Sequence, residues 1–379
     1  MKVGKKNTIR LDPLAFNLAL LGESGIGKTT IIKQYCEKLA GEDGYIFLNM
    51  GKEDGCDAID GINFVNCPTW HGDYDEEENS IGFSDFVEDV VENKNSDYAD
   101  LKVVVIDTYD ELFAIAEPEV IRLHNKQHPE KKVNSIKAAF GGFQGGEDKA
   151  VEIVLDALWS LKKVGVSFIV IGHTKTRNIT DPVTGDDYLQ LTTNMSAKYF
   201  NALKTKVHLL GVAAFDRQIM KQNTGKKNPV TGQKIEKGVI KSEARMITFR
   251  DDNFVIDSKS RFSDIVDKIP FDVDELISAI NTAIKSEAEK SGSKMKDIEK
   301  HEKDVIKKKN ERIKANELQQ KANKERDGLI LQLNEFFNEH KTDKDIIKPV
   351  LSAIRELGYS KPGDIQTLDE AKQIFALIA

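Results

Sequence analysis

Residues 17–30 read NLALLGESGIGKTT. An apolar run, a glycine-rich loop and a helix start follow one another in that order. The inner stretch GESGIGKT, residues 22–29, fits GxxxxGK[ST]. The motif carries meaning only between a strand and a helix, where glycines let backbone N–H groups wrap phosphates and the helix N-terminus adds its positive dipole. Both flanks are present. Gly22, Glu23, Ser24, Gly25, Ile26, Gly27, Lys28, Thr29 and Thr30 are therefore expected to bind a nucleoside triphosphate. Lys28 should reach the β- and γ-phosphates, and Thr29 should ligate magnesium. ATP and Mg2+ are the expected cofactors.

Beyond this loop, further apolar runs occur at GYIFLNM (44–50), NFVNC (63–67), KVVVID (102–107), VSFIVIG (166–172) and KVHLLGVAAF (206–215). Near-continuous runs of this kind suit a parallel sheet buried on both faces. Helical patterns such as EDKAVEIVLDALWSLKKVG lie between them, so a doubly wound α/β domain is expected over residues 1–285. ARMITFR and NFVIDSK read as a hairpin turning at Asp251 and Asp252. Ser286–Arg326 carries 13 Lys or Arg and 9 Asp or Glu, which predicts a charged helical linker. Apolar periodicity returns over 327–379, where a small helical module is expected, its last helix opened by a capping box at Thr367 and Glu370.

Composition narrows the class. Hydrophobic residues make up 40% of the 379, enough for a substantial core, and the net charge of −7 argues against a uniformly basic nucleic-acid binder. Cys36, Cys56 and Cys67 form no CxxC pair, so buried reduced thiols are expected rather than a zinc site. No run approaches the ~20 apolar residues of a bilayer span, and no signal-peptide pattern follows the basic start. A cytoplasmic protein with no membrane contact is the expectation.

The strand KVVVID ends in Asp107, which should hold magnesium through water. Many ATPases follow that aspartate with a glutamate that aligns the attacking water; here Thr108 follows it. Three carboxylates could take the role. Glu53 lies just past the strand after the P-loop helix, and strand carboxyl ends converge on the ligand crevice of a doubly wound sheet. Asp110 and Glu111 follow Asp107 but could simply be charges at a helix start. FIVIGHTKT carries His173 past its apolar run, where it could sense the γ-phosphate or merely bond within its loop.

Together these residues resemble the RecA-like ATPase core. GHTKT and the late SKSR are more similar still to the trimmed RecA-like ATPases encoded by phages, which are associated with single-strand annealing and recombination. The resemblance covers residues 15–285. It implies that Glu53, on a strand adjacent to the P-loop strand, is the catalytic base, and that the protein forms a ring or filament in the host cytoplasm. It also implies that a site is completed across a subunit interface, for which Lys259 and Arg261 are the candidates, with Arg245 and Arg250 weaker ones. The 34-residue stretch Glu117–Ala150 and the C-terminal helices depart from the core pattern.

Three basic segments are candidates for single-stranded DNA. Residues 122–137 include Lys131 and Lys132, and the following glycine loop offers Phe140 and Phe143 for base stacking. Lys175 and Arg177 follow His173. Residues 217–241 carry seven Lys or Arg, including Lys226, Lys227 and Lys234, around a turn-forming NPVTG. A replicative helicase or helicase loader fits the same core. So does an ATP-gated switch with no DNA role, its C-terminal helices docking a protein partner.

Overall fold

The computed structural model describes residues 9–181, 184–227, 234–251, 256–290, 295–341 and 343–378. The strands are β1 (Leu18–Gly22), β2 (Tyr45–Met50), β3 (Phe64–Cys67), β4 (Val103–Asp107), β5 (Ser167–Thr180), β6 (Asp187–Thr193), β7 (Leu209–Lys227), β8 (Lys234–Thr248), β9 (Lys259–Ser260) and β10 (Lys268–Pro270). The helices are α1 (Lys28–Ala40), α2 (Phe83–Glu92), α3 (Tyr109–Gln127), α4 (Gly145–Val164), α5 (Ala197–Lys204), α6 (Val273–Lys290), α7 (Met295–Glu339), α8 (Lys344–Glu356) and α9 (Leu368–Phe375).

Among the described residues the main sheet runs β10-β8-β7-β1-β5-β4-β2-β3. From β7 to β3 every pairing is parallel. Beyond β7 the strands turn antiparallel. The fold is α/β, a doubly wound and mostly parallel sheet followed by C-terminal helices.

Side chains alternate across the sheet with a period of two. Leu21, Leu48, Val104, Ile106 and Val170 point to the face covered by α2, α3, α4 and α5. Leu18, Leu20, Phe47, Val105 and Ile171 point to the opposite face, under α1 and α6. This parity positions the chemistry. Asp107 follows Val105 by two and His173 follows Ile171 by two, so both fall on the α1 face. There α1 brings Lys28 and Thr29.

Three expectations need correction. The strand carrying Glu53 does not lie beside the P-loop strand. β2 pairs β3 and β4, and β1 is flanked by β5 and β7. Sequence order cannot reveal this, because crossover helices let strands skip places in the sheet. The hairpin expected between 244–250 and 253–259 is not formed either. Residues 244–248 pair with β7 and, from Met246, with β10, while β9 pairs β7; residues 252–255 lie outside the described set. The basic segment 217–241, expected as a hairpin tip, is largely ladder. β7 and β8 pair from Val212–Thr248 out to Lys227–Lys234, with register shifts after Gln218 and Asn223. Its NPVTG turn lies outside the described residues.

The chain divides into two compact units, Met1–Glu302 and Lys303–Ala379. The second has its own small core of Leu333, Val350, Ile354, Ile365, Ala371 and Ile374. Its last helix opens with the reciprocal cap: Glu370 N donates to Thr367 Oγ1 at 3.3 Å, and Thr367 N to Glu370 Oε2 at 3.1 Å. Among the described residues no helix is long and apolar enough to cross a membrane.

Candidate active site

The P-loop turns sharply between β1 and α1. Gly27 holds φ at +103° as the residue before the helix, a left-handed geometry that side chains disfavour. Lys28 is 6% exposed. Its ammonium folds back into the arch and donates to Gly22 O at 3.1 Å and Glu23 O at 3.0 Å. Burial lowers its pKa, against the raising pull of Asp107, Glu53 and Asp110. Lys28 thus lies within the electrostatic reach of three carboxylates, where a triphosphate would supply further negative charge.

Thr29 Oγ1 donates to Asp107 Oδ2 at 2.7 Å. Asp107 is buried, and desolvation pushes its carboxyl up to about 6 despite the Thr29 hydrogen bond. A hydroxyl and a carboxylate oxygen make a hard donor pair suited to magnesium, which keeps much of its own water. The buried carboxylate has a cation's worth of stabilisation to gain. The residues present therefore fit the metal.

Glu53 approaches from β2. The chain leaves Met50 through a tight turn closed by Glu53 N donating to Met50 O at 3.0 Å. Gly51 sits in that turn at φ +63°, and a Cβ there would lie 2.4 Å from Glu111 Oε2. A side chain there would strain the left-handed backbone and push the Glu111 carboxylate aside. Glu111 itself accepts from Lys52 N at 3.2 Å. It props the turn from beneath. Burial raises the pKa of Glu53, with the charges of His173 and Lys28 pulling it down and Asp110 pushing it up.

His173 is engaged by a residue first considered as a rival base. Its Nδ1 lies 3.2 Å from Asp110 Oδ2, and Asn194 Nδ2 donates to the same oxygen at 3.1 Å. Burial alone would raise the Asp110 carboxyl, but hydrogen bonds from His173 and Asn194 and the imidazole's charge hold it at about 2. The Asp110 hydrogen bond in turn raises the His173 pKa. Asp110 is thus a positioning residue for the imidazole. Asn194, just after β6, was missed in the sequence. Nothing in local spacing links it to Asp110, 84 positions away.

The pair makes stability pH-dependent. A raised folded-state pKa on His173 stabilises the fold fully below the unfolded value of ~6.5, and that contribution is lost as pH rises through the folded value. The melting temperature should fall over that window. Asp110→Asn should shift the His173 imidazole titration, followed by NMR, downward toward ~6.5 and remove most of the fall. An unmoved titration would show that Asp110 does not set the imidazole's charge.

The other expected residues are placed elsewhere. Lys259 and Arg261 lie by the amino end of β7, at the opposite end of β1 from the P-loop, where Lys259 Nζ donates to Lys204 O and Arg261 Nη2 to Thr205 O, the latter at 2.7 Å. There they cap the carboxyl end of α5. Phe140 packs edge-on against His124 with ring centroids 5.2 Å apart and belongs to the core margin. Phe143 is fully exposed, and Lys131 and Lys132, earlier in the chain, are exposed as well. Lys175 and Arg177 lie on the outer half of β5, paired with β6; Lys175 is exposed, and Arg177 Nη2 donates to Met195 O. The backbones of Lys226, Lys227 and Lys234 lie in the β7–β8 arm, but their side chains lie outside the described residues. The three cysteines are free and buried.

A glycine-rich phosphate loop, a buried aspartate two strands away and a carboxylate from a third strand together make the pattern of a P-loop nucleoside triphosphatase. Residues 15–262 match the family described as an AAA domain, and the chain belongs to that family. No curated protein matches it. Among solved structures it is similar to a KaiC-like protein from the hyperthermophilic archaeon Pyrococcus horikoshii OT3, at 12% identity and a TM-score of 0.28, over 61% of this chain and 84% of that one.

Proposed function

We propose that this protein hydrolyses ATP with Glu53 as the base and couples the reaction to single-stranded DNA, as a RecA-like recombination protein acting in annealing or strand exchange. The observation that carries the hydrolytic reading is the meeting of Lys28, Thr29, Asp107, Glu53 and His173 at the carboxyl ends of four strands. Lys28 and the P-loop amides hold the triphosphate. Thr29 and Asp107 would hold a magnesium ion, which would supply positive charge against the triphosphate. Glu53, its pKa raised by burial, takes or orients the proton of the attacking water. His173, held by Asp110, contacts the γ-phosphate and transmits its loss into β5 and the β5–β6 hairpin.

The DNA reading rests on charge. Lys175 lies on the outer part of the same strand that ends its inner part at His173, so a strand that senses nucleotide also carries a basic side chain outward. The β7–β8 arm adds further lysines. Phosphate contacts of this kind release counterions and make binding salt-sensitive. A homo-oligomer would align these arms, and the C-terminal helices, with Leu331 and Leu377 exposed, are the place for a protein partner. Replacing Lys226, Lys227 and Lys234 together with Ala should weaken single-stranded DNA binding and flatten its log–log salt dependence by about 0.7 for each phosphate left unneutralised. Fluorescence anisotropy across a salt series measures this; an unaltered slope would take the arm out of the interface. ATP hydrolysis unaffected by single-stranded DNA at any protein concentration would favour the ATP-gated switch instead.

A further inference from the structure

The groups that would face the γ-phosphate all lie to one side of β1. Asp107 is on β4, Glu53 follows β2 and His173 is on β5, and these strands run outward from β1 in the order β5-β4-β2. A triphosphate in the P-loop therefore points its γ end toward that side. Its α-phosphate, ribose and base must run the other way, toward β7, β8 and β10.

On that side three side chains form a row. β7 continues past the end of the P-loop strand, where Gly22 pairs Ala213, and so rises beside the loop. Phe215 on β7 stands opposite Arg245 on β8. Phe271, just after β10, donates its N–H to Arg245 O at 2.9 Å. Residues opposite one another across a ladder share a face, and Phe215 and Phe271 both pack at the margin of the core under α1. The Arg245 guanidinium lies over the Phe271 ring, 5.2 Å from its centroid. Its Nη1 donates to Ile26 O of the P-loop at 3.0 Å. A Cβ on Gly27 would lie 3.3 Å from that Nη1 and 3.4 Å from the Phe271 ring. The row is thus in van der Waals contact with the loop that holds the phosphates, while Arg245 remains exposed.

We propose that Arg245, backed by Phe271, is the nucleobase platform of the site: the planar guanidinium stacks on a purine ring and its bond to Ile26 fixes the platform to the P-loop. Guanidinium planes stack on flat π-systems as an ammonium cannot. Stacking reads a face rather than an edge, so the platform accepts adenine and guanine alike and adds affinity without choosing between them. The inference rests on the P-loop being the triphosphate site.

Two ligands separate the two claims. ATP carries a base and inorganic tripolyphosphate does not. Isothermal titration with each, in the presence of Mg2+, should show wild-type protein binding both. Arg245→Ala should weaken ATP about tenfold, on the scale of one base stack, and leave tripolyphosphate unchanged. Arg245→Lys, which keeps the cation but loses the plane, should recover only part of the affinity. Equal weakening of both ligands would overturn the platform and reduce Arg245 to a support of the loop; so would an unchanged ATP affinity in Arg245→Ala. Wild-type protein that binds neither ligand would remove the triphosphate site itself, and the platform with it.

Discussion

Glu53→Gln is expected to bind ATP and magnesium and to lose hydrolysis by about 10² or more, the scale of a general base. The substitution keeps the shape of the side chain and removes its ability to hold a proton. Thr108 cannot substitute, because a hydroxyl has no accessible anion at neutral pH. Nor can the neighbouring carboxylates. Asp110 is held at about 2 by His173 and Asn194, too weak a base and already engaged. Glu111 is turned under Gly51 and bonded to Lys52 N. Glu111→Gln retains an oxygen for that bond and should keep most of the activity. Single-turnover hydrolysis of the two variants decides the assignment. Normal cleavage in Glu53→Gln with loss in Glu111→Gln would move the role to α3.

Lys28→Ala should abolish ATP binding and turnover without unfolding the protein. The ammonium sits inside the arch, and no neighbouring group can replace it against the β- and γ-phosphates. Its cost to the fold is a different matter. Burial already disfavours the charged form, so removing it releases a desolvated cation while leaving the Gly22 and Glu23 carbonyls without that donor. The two effects oppose each other, and the melting temperature without nucleotide should move by only a few degrees. With wild-type protein, ATP raises the melting temperature by linkage; in Lys28→Ala that rise should vanish. A preserved rise would show that triphosphate binds somewhere other than this loop.

The sequence made some of this site visible for a definite reason. Lys28, Thr29 and Asp107 sit at fixed offsets from a glycine loop or a strand end, and Glu53 and His173 likewise follow apolar runs. Strand ends are legible because hydrophobic patterning stops there. The neighbours of those strands are not, because lateral order is decided by crossover packing: β2 had to be seen beside β4 rather than β1. The hold of Asp110 and Asn194 on His173 joins residues with no common pattern: Asp110 lies 63 positions from His173 and 84 from Asn194. The length of β5, β7 and β8 beyond the buried core was equally hidden. Their outer halves are polar, and only pairing, of β5 with β6 and of β7 with β8, makes them strands.

The place of β1 also governs how the chain is made. Asn17, at its entrance, donates its N–H to His208 Nδ1, 191 positions later, and β1 fits between β5 and β7. A ribosome releases β2, β3 and β4 soon after β1, and these three can pair among themselves before β5 and β7 exist. The P-loop strand must wait for both neighbours. Contacts this distant in sequence slow folding, so the apolar run that begins the nucleotide site is among the earliest segments synthesised yet is flanked on both sides only after β7 is made. Until β7 emerges, the nascent protein carries an uncovered strand and no competent phosphate loop. A chain broken off upstream of β7 is therefore expected to leave one edge of the P-loop strand unpaired.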